Sequence, residues 1–436
     1  MTAAPPQPVH PSRRGSRRLP ARTLLGFVGT WVVALMAANL VPVLISRLIS
    51  DLNLPLSSAG ALATGMTAGT VAAMLAVNLI IARADRPTVA RIGLATMLIG
   101  YALGAATMTP TAVAVGLIIG GMGGGAALAA GTAAFSATHD PDRTVTIATV
   151  INRLGAAGLL ALAPVIASDL RSLLVLLAAM AAAGLLLARG LPNTPGARHA
   201  SSADESPQTT RPPRAPGRGT ITLAGLVLAF SMGFWSLAED MVYAMSGTLA
   251  ADAGISPETT GVLISLKVIG GLLGVVLAPL MLANFGRGWS LLGIVVVSTT
   301  AKFLMIITES GTVFAATIVI WGIAYGAVLV LVNGLAALMD LTGRTAVLVF
   351  SIYMCGIALG PLAGGYFLEF VTPLTYAFIV SVPSAVFGSA LFIISRRSRH
   401  FDRPRTVQLH DTGPSLPAEA ESADASAISD TTPRPH

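Results

Sequence analysis

Charged residues are scarce in this chain. Asp, Glu, Lys and Arg make up 11% of its 436 residues, whereas about 25% is typical of a soluble domain. So few charges cannot cover the water-facing surface of a soluble fold of this length, and the composition excludes an ordinary set of soluble domains. Hydrophobic residues make up 54% and the mean hydropathy is +0.76. These values indicate an all-α polytopic membrane protein.

Cysteine and the common chemical motifs are also nearly missing. The single cysteine, Cys355, excludes an intramolecular disulfide framework. The sequence has no phosphate-binding loop of the kind that powers ATP-driven transport, and its six histidines show no zinc-ligand spacing. We therefore expect no enzymatic activity, no cofactor and no metal site.

Lysine is rarer still. Lys267 and Lys302 are the only two, and every other basic side chain except histidine is arginine. The net charge of +7 would suit a nucleic-acid-binding protein if the basic residues clustered on a water-facing surface. They instead lie in short stretches between apolar runs, so we expect no nucleic-acid partner and interpret the charge as membrane topology.

Twelve apolar segments are long enough to cross a bilayer, which needs about 20 residues per helix. We number them spans 1 to 12. The predicted boundaries are 24–46, 58–82, 92–109, 112–136, 146–168, 172–189, 221–247, 258–283, 289–308, 312–338, 346–368 and 374–395.

The basic residues predict the orientation of these spans. Twenty-two of the 27 fall in the two tails, the central linker and the connections on the same side, and only Arg47 and Arg171 fall on the other side. Because cytoplasmic loops carry the excess of Lys and Arg, both termini are expected to be cytoplasmic, in a plasma-membrane protein.

The stretches outside the bilayer divide the chain. Pro, Ser, Thr, Asp and Glu are interspersed in the linker, and Ser, Ala, Asp and Pro dominate the C-terminal tail, a composition typical of disorder. The predicted regions are a basic N-terminal tail (1–22), an N-terminal six-helix bundle (23–189), a cytoplasmic linker (190–220), a C-terminal six-helix bundle (221–397) and a disordered tail (398–436).

The two six-helix halves repeat at a single offset of 201 residues. The offset spans six helices, an even number, so the halves have the same orientation in the membrane. Parallel repeats of this kind place a substrate site between the halves near the bilayer midplane and open it alternately to each side. The matching positions are Asp51 and Asp252, Gly60 and Gly261, Leu62 and Leu263, Arg86 and Arg287, Gly121 and Gly322, Gly125 and Gly326, Arg143 and Arg344, and Thr144 and Thr345.

With this repeat and the loop sequence Ala84-Asp85-Arg86, the chain resembles the major facilitator superfamily over residues 22–397. The Asp-Arg pair is similar to that superfamily's conserved loop signature, although Ile81 stands where the family has Gly. The resemblance implies the twelve-span fold of two bundles, a monomer and a gate at the cytoplasmic ends. The expected gating residues are Asp85, Arg86, Arg143, Arg287 and Arg344.

Span 11 carries a glycine-proline element from Gly356 to Gly365. It resembles an element known in exporters of the superfamily, where it belongs to span 5. The alternative is close helix packing and bending, because small residues let helices approach. We favour packing and bending.

Ionisable residues inside spans are the main functional candidates, because a charge at the bilayer centre costs roughly 2.5–3.5 kcal/mol on insertion scales. Span 7 contains Glu239 and Asp240, and span 8 contains Lys267. Asp240 and Lys267 lie at a similar depth, ~12–14 Å from the outer ends of adjacent helices. We therefore predict an acid–lysine pair, either a proton-coupling site or a structural ion bridge. Trp235 and Tyr243 are candidates for the substrate site or for packing.

The other polar residues inside spans are candidate substrate contacts. Arg153 lies beside Asn152 in span 5, and its guanidinium stays protonated. We therefore expect it either to bind an anionic group of the substrate or to pair with an acid. Asn39 and Asn333 are candidate cavity donors or helix-pairing amides. The resemblance to the superfamily implies that span 9 is peripheral, so Lys302 in that span is expected to extend its ammonium to the outer surface.

The sequence thus predicts a secondary transporter of a small organic compound. Proton-coupled export is the first hypothesis, with Glu239 and Asp240 as proton-linked acids and Lys267 as their competitor. Proton-coupled uptake of an organic anion is the second, and a non-transporting membrane sensor or assembly partner is the third. The sequence does not identify the substrate.

Overall fold

The structure is a computed structural model that describes residues 20–81, 84–135, 137–138, 141–193, 222–339 and 344–397. The predicted tails and most of the predicted linker lie outside these residues. Span 1 comprises three α-helices, Ala21–Phe27, Val33–Asn39 and Val41–Leu52, with a π-helical turn at Val28–Val32. Spans 2 to 7 are Leu56–Ile80, Arg86–Thr107, Pro110–Phe135, Pro141–Ile166, Leu170–Leu187 and Leu223–Asp252.

Spans 8 and 9 form one continuous helical stretch, Pro257–Ile307, that is broken at Gly286. Gly286 has φ 72° and ψ 164°, a conformation open to glycine because it has no side chain. The break divides the stretch into 257–285 and 287–307. Spans 10 to 12 are Gly311–Met339, Arg344–Phe370 and Pro373–Arg397. Eleven helices of the described residues are long and apolar enough to span a membrane, and the break at Gly286 divides one of them in two, which gives the twelve predicted spans.

Spans 1 and 7 continue furthest past their predicted C-terminal ends. Span 1 continues beyond residue 46 to Leu52, and its backbone departs from the α-helical conformation at Leu40 (φ −94°, ψ 7°), two residues before Pro42. The next α-helix begins at Val41 and has Pro42 in its first turn, where the missing N–H of proline is tolerated. Arg47 thus lies within the helix, where its Nε donates to Ala167 O at 3.0 Å. Span 7 continues to Asp252.

Because successive spans run in opposite directions and their number is even, the first span begins and the last span ends at the same end of the bundle. We call the end where span 1 begins and span 12 ends the terminal face, and the opposite end the distal face. Carboxylates cap helices at the distal face. Asp51 accepts from the Leu170 N–H that starts span 6, and Asp169 accepts from Ser172 N at 2.7 Å. The hydrogen bond from the Ser172 N–H lowers the pKa of Asp169.

The 201-residue repeat reappears in the packing of helices within each half. A Cβ built on Gly121 of span 4 would lie 2.1 Å from Met66 O of span 2, and one on Gly322 of span 10 would lie 2.2 Å from Lys267 O of span 8. Because Met66 and Lys267 are also 201 residues apart, the two close approaches are equivalent. Small residues at these positions let the backbones touch.

The same repeat relates the contacts between the halves. Gly60 of span 2 faces Pro361 O of span 11, and Gly261 of span 8 faces Leu160 O of span 5, at 2.3 and 2.5 Å from the built Cβ atoms. Leu160 and Pro361 are separated by 201 residues. The halves therefore meet through span 2 against span 11 and span 5 against span 8, as a two-fold arrangement of parallel repeats requires.

Hydrogen bonds join the halves along the same two seams. Ser265 Oγ donates to Ala157 O at 2.7 Å, and Thr67 Oγ1 donates to Ala358 O at 3.1 Å. At the distal face, Ser57 N donates to the Glu369 carboxylate at 2.6 Å. The described distal portions of the two halves are thus tied together.

Alanine at either repeat glycine is expected to destabilise the fold. In Gly121→Ala and Gly322→Ala the new methyl group would overlap a backbone oxygen, which must move, at a cost of roughly 1–3 kcal/mol. Thermal unfolding of the purified protein in detergent measures the loss. Gly293→Ala in span 9 is the matched control, because a Cβ there meets nothing within 4 Å. Equal stability of all three variants would contradict the close packing.

Candidate functional site

Glu239 lies in a buried polar network between four spans. Its side chain is 4% exposed and forms an ion pair with Lys302 of span 9. The Trp321 indole N–H of span 10 donates to Oε2, and Ser298 Oγ lies 3.4 Å from Oε1. Lys302 Nζ also donates to Ser384 Oγ of span 12 at 3.1 Å. The Glu239 charge is therefore compensated inside the C-terminal half.

Lys302 does not extend to the outer surface, so that prediction was wrong. Lys302 is 0% exposed, and its ammonium contacts Glu239 and Ser384. A lysine reaches the interface when no partner is near, but an ion pair with hydrogen bonds is the alternative for a charge within a span. The rotation of span 9 about its axis, which the sequence does not specify, turns Lys302 towards span 7.

Lys267 lies against aromatic rings instead of pairing with an acid. Its Nζ is 3.8 Å from the Trp321 ring centroid, 3.9 Å from that of Tyr243 and 5.4 Å from that of Tyr325. The residue is 8% exposed. Among the described residues it forms no hydrogen bond and no ion pair within 4.0 Å, so the predicted direct pair with Asp240 is not formed. Cation–π attraction of this kind strengthens when the ammonium is desolvated.

Asp240 faces span 11. A Cβ built on Gly360 would lie 2.5 Å from Asp240 Cβ and 2.8 Å from its Oδ2, so only glycine leaves room for this carboxylate. Asp240 is half-buried and forms no hydrogen bond or ion pair with a described residue. It lies within the range of Coulomb interaction with Lys267 and Glu239. Of the two span 7 acids, Asp240 is the one without a cation in contact.

The N-terminal half contributes three polar side chains at the seam with the C-terminal half. Tyr243 OH donates to Asn39 O at 2.6 Å, and Asn39 Nδ2 donates to Asn152 Oδ1 at 3.4 Å. Asn152 is 4% exposed, and its Nδ2 has no hydrogen-bond partner in the described part of the chain. Arg153, the next residue, is partly exposed. It likewise has no acceptor among the described side chains and carbonyls.

Two other candidates form no hydrogen bond with these residues in the described part of the chain. Trp235 is 0% exposed and stacks on Tyr325 and Phe387, with ring centroids 5.6 and 5.2 Å apart, which indicates packing. Asn333 is exposed and lies eight residues beyond Tyr325 on span 10, about 12 Å nearer the terminal face. Lys267 and the three rings around it, Tyr243, Trp321 and Tyr325, form what we call the Lys267 cluster. The structure does not bring Asn333 to this cluster.

Three of the predicted gating residues, Asp85, Arg86 and Arg287, have described hydrogen bonds to their own half or to the start of the linker. Asp85 caps span 3 by accepting from Thr88 N at 2.9 Å, and its other oxygen accepts from Asn193 Nδ2. Asn193 also accepts from Arg86 N at 3.0 Å. In the other half, Arg287 Nη1 donates to Leu331 O at 3.1 Å.

The remaining two gating candidates are Arg143 and Arg344. Arg143 is exposed, and the side chain of Arg344 lies outside the described residues. A gating role for all five residues stays a prediction.

The span 11 element packs against span 7, as the packing interpretation predicts. A Cβ on Gly356 would lie 2.0 Å from Ser236 Oγ, and one on Gly364 would lie 2.7 Å from Met241 O. Gly360 lies between them, against Asp240. The glycines thus bring span 11 close to the acid-bearing face of span 7.

The sequence interpretation named Tyr243 but missed the other two aromatic residues beside Lys267, Trp321 and Tyr325. Trp321 and Tyr325 fall on Gly120 and Gly124 under the 201-residue offset, and Lys302 falls on Tyr101. A search for positions where one half carries an aromatic or charged residue and the other does not would have found them. Departures from the repeat, not its matches, mark the candidate site.

The fold and the site define a twelve-span membrane transporter with its polar cluster at the seam between two repeats. The sequence model of the Major Facilitator Superfamily matches residues 26–339. The chain belongs to this superfamily, and it is a transporter of small molecules, not an enzyme. No curated protein sequence matches the chain.

Two solved structures show the likeness of fold. The nucleoside transporter NupG is 16% identical, with a TM-score of 0.66, and the match covers 86% of this chain and 99% of NupG. A bacterial homologue of the human lysosomal transporter Spinster, in an inward-facing and unoccupied conformation, is 14% identical with a TM-score of 0.62. That match covers 90% of this chain and 100% of the homologue.

Proposed function

We propose that this protein is a proton-coupled secondary transporter of a small organic compound, with Asp240 as the residue that binds and releases the proton. The observation that carries the proposal is the contrast between the two span 7 acids. Glu239 is neutralised by Lys302, whereas Asp240 has a cation, Lys267, within Coulomb range but not in contact. An uncompensated carboxylate inside a membrane is stabilised by taking up a proton.

Lys267 is the proposed competitor for Asp240. Its ammonium is held on ring faces and not in a fixed ion pair, so a small movement would bring it to the carboxylate or away from it. Two charged groups act on Asp240, Glu239 on its own span and Lys267 on span 8. Four tyrosines also lie within Coulomb range of the carboxylate: Tyr243 on span 7, Tyr325 on span 10, Tyr353 on span 11 and Tyr376 on span 12.

Alternating access is the proposed mode of transport. The contacts of Gly60 with Pro361 and of Ser57 with Glu369 would have to separate for a substrate to enter from the distal face. Rocking of one repeat against the other around a fixed central site is the movement that parallel repeats permit. The Lys267 cluster lies at the seam where that movement would change accessibility.

Two directions of coupling are candidates. Export in exchange for protons is the direction expected from the sequence, and it requires that proton and substrate exclude each other at the site. Uptake together with protons requires that the proton and the substrate bind at the same time. Arg153 and Lys267, which have no acceptor among the described residues, favour uptake because they can hold an anion beside a protonated Asp240. Substrate-induced pH changes inside vesicles have opposite signs for the two.

The proposal can be tested in proteoliposomes loaded with the pH-sensitive dye pyranine. A panel of organic acids, bases and neutral metabolites is added outside, with protein-free liposomes as the control for passive permeation. We expect at least one compound to change the internal pH in a protein-dependent manner. A compound that the protein transports with no proton movement, at every pH tested, would contradict proton coupling.

The proposed orientation places the terminal face in the cytoplasm of a plasma-membrane protein. In a Cys355→Ser background, Ser310→Cys at the distal face is expected to react with a membrane-impermeant maleimide added to intact cells. Asn284→Cys at the terminal face is the matched site and is expected to react only after the cells are permeabilised. Both positions are exposed. The reverse labelling pattern would overturn the orientation.

A further inference from the structure

Two cations at the seam, one from each half, lack an acceptor among the described residues. Arg153 of span 5 and Lys267 of span 8 form no hydrogen bond or ion pair with any described residue, although Lys267 lies on aromatic rings. Buried or half-buried cations in proteins are normally paired, because desolvation without a counter-charge is costly. Among the described residues a cation thus lies unpaired on each side of the same seam, which favours a bound ligand as the counter-charge.

The register of spans 5 and 8 places these two residues at nearly the same depth. Ser265 Oγ contacts Ala157 O, which fixes how the two antiparallel helices align. Arg153 is four residues and Lys267 two residues nearer the terminal face than this contact. With a rise of about 1.5 Å per residue, the difference in depth is about 3 Å.

A series of contacts joins the two cations across the seam. The Tyr243 ring lies 3.9 Å from Lys267 Nζ, and its hydroxyl reaches Asn39 O at 2.6 Å. Asn39 in turn contacts Asn152, which adjoins Arg153. The buried Nδ2 of Asn152 has no partner among the described residues, so the region offers an unused amide donor in addition to two unpaired cations.

The charges of this region do not balance without a ligand. Glu239 and Lys302 cancel each other, and Asp240 is the remaining acid in Coulomb range of Lys267. With Asp240 ionised, Arg153 and Lys267 leave an excess of one positive charge, and with Asp240 protonated they leave two. Protonation of Asp240 thus increases the attraction for an anion.

We propose that the transported compound is a small organic anion, whose carboxylate or similar acidic group binds between Arg153 and Lys267 at the seam of the two halves. This inference rests on the proposed transport function and names its substrate class. Arg153 supplies planar, permanently charged donors, Lys267 supplies a point charge, and Asn152 supplies a neutral donor. One anion would contact both halves and would therefore sense their relative movement.

The test uses benzoate and benzamide, which have nearly the same shape and differ in charge. The purified full-length protein in a non-ionic detergent is titrated with each compound at neutral pH, and its thermal unfolding midpoint is followed. We expect benzoate to bind at least about tenfold more tightly than benzamide, since hydrogen bonds to charged groups are the stronger ones. Arg153→Gln and Lys267→Gln are each expected to remove this preference.

Arg91→Gln is the matched control, because Arg91 is an exposed arginine at the terminal face. It should leave the preference for benzoate unchanged. Equal affinities for benzoate and benzamide in the unmodified protein would overturn the anion site, as would a preference that survives both Arg153→Gln and Lys267→Gln. Proton-coupled flux of a cationic or neutral compound that depends on Asp240 would overturn the anion site but leave the proposed function in place.

Discussion

Replacing Lys302 by methionine is expected to destabilise the protein by roughly 3–5 kcal/mol. The substitution keeps most of the side-chain volume but leaves the Glu239 carboxylate in a nearly dry position without its cation. The Trp321 indole and Ser298 hydroxyl can still donate to it, yet neither carries a charge. Thermal unfolding of the purified protein in detergent measures the effect.

The double variant Glu239→Gln, Lys302→Met separates an uncompensated charge from a general loss of packing. Removing both charges is expected to restore most of the lost stability, since replacing a whole buried ion pair is often neutral. Lys267→Met is the matched control, because Lys267 is the other lysine and contacts rings instead of an acid. Its expected cost is about 0.5–2 kcal/mol. A double variant as unstable as Lys302→Met would contradict this interpretation of the network.

Asp240→Asn is expected to abolish the substrate-induced pH change in pyranine-loaded proteoliposomes. The amide has nearly the same shape, so the close fit against Gly360 is retained, but it cannot exchange a proton at neutral pH. A loss of about tenfold or more is expected, in keeping with the removal of an essential proton-binding group.

Glu239→Gln tests whether the effect belongs to Asp240 or to any acid of span 7. Because Glu239 is already committed to Lys302, its replacement is expected to reduce stability while the protein that remains folded still couples substrate to protons. Coupling that is lost in Glu239→Gln and kept in Asp240→Asn would exchange the roles of the two acids.

The fold was predictable because its determinants are local or periodic. Apolar length gave the twelve crossings, and the matches of Arg86 with Arg287 and of Gly121 with Gly322 gave the two parallel halves. The structure adds details that depend on backbone geometry, such as the interruption of span 1 before Pro42 and the left-handed conformation of Gly286 that joins spans 8 and 9.

The candidate site was predictable only in part. Scarcity of charge selected the span 7 acids, both lysines and Arg153, but depth along a helix does not determine which neighbour a side chain faces. Asp240 and Lys267 lie at similar depths, yet Asp240 faces Gly360 and Lys267 faces Trp321. Lys302 was assigned to the surface because span 9 was treated as peripheral. The rotation of each helix is set by packing between distant spans, which a single sequence does not reveal.

Proton coupling through Asp240 is tested most directly by comparing two fluxes of one transported compound in the same vesicles. Counterflow exchange needs only that the loaded protein reorients, whereas accumulation driven by a pH gradient also needs a proton to be carried. We predict that Asp240→Asn retains counterflow and loses gradient-driven accumulation. Accumulation at the unmodified level in Asp240→Asn, with unchanged dependence on pH, would contradict the proposed role of Asp240.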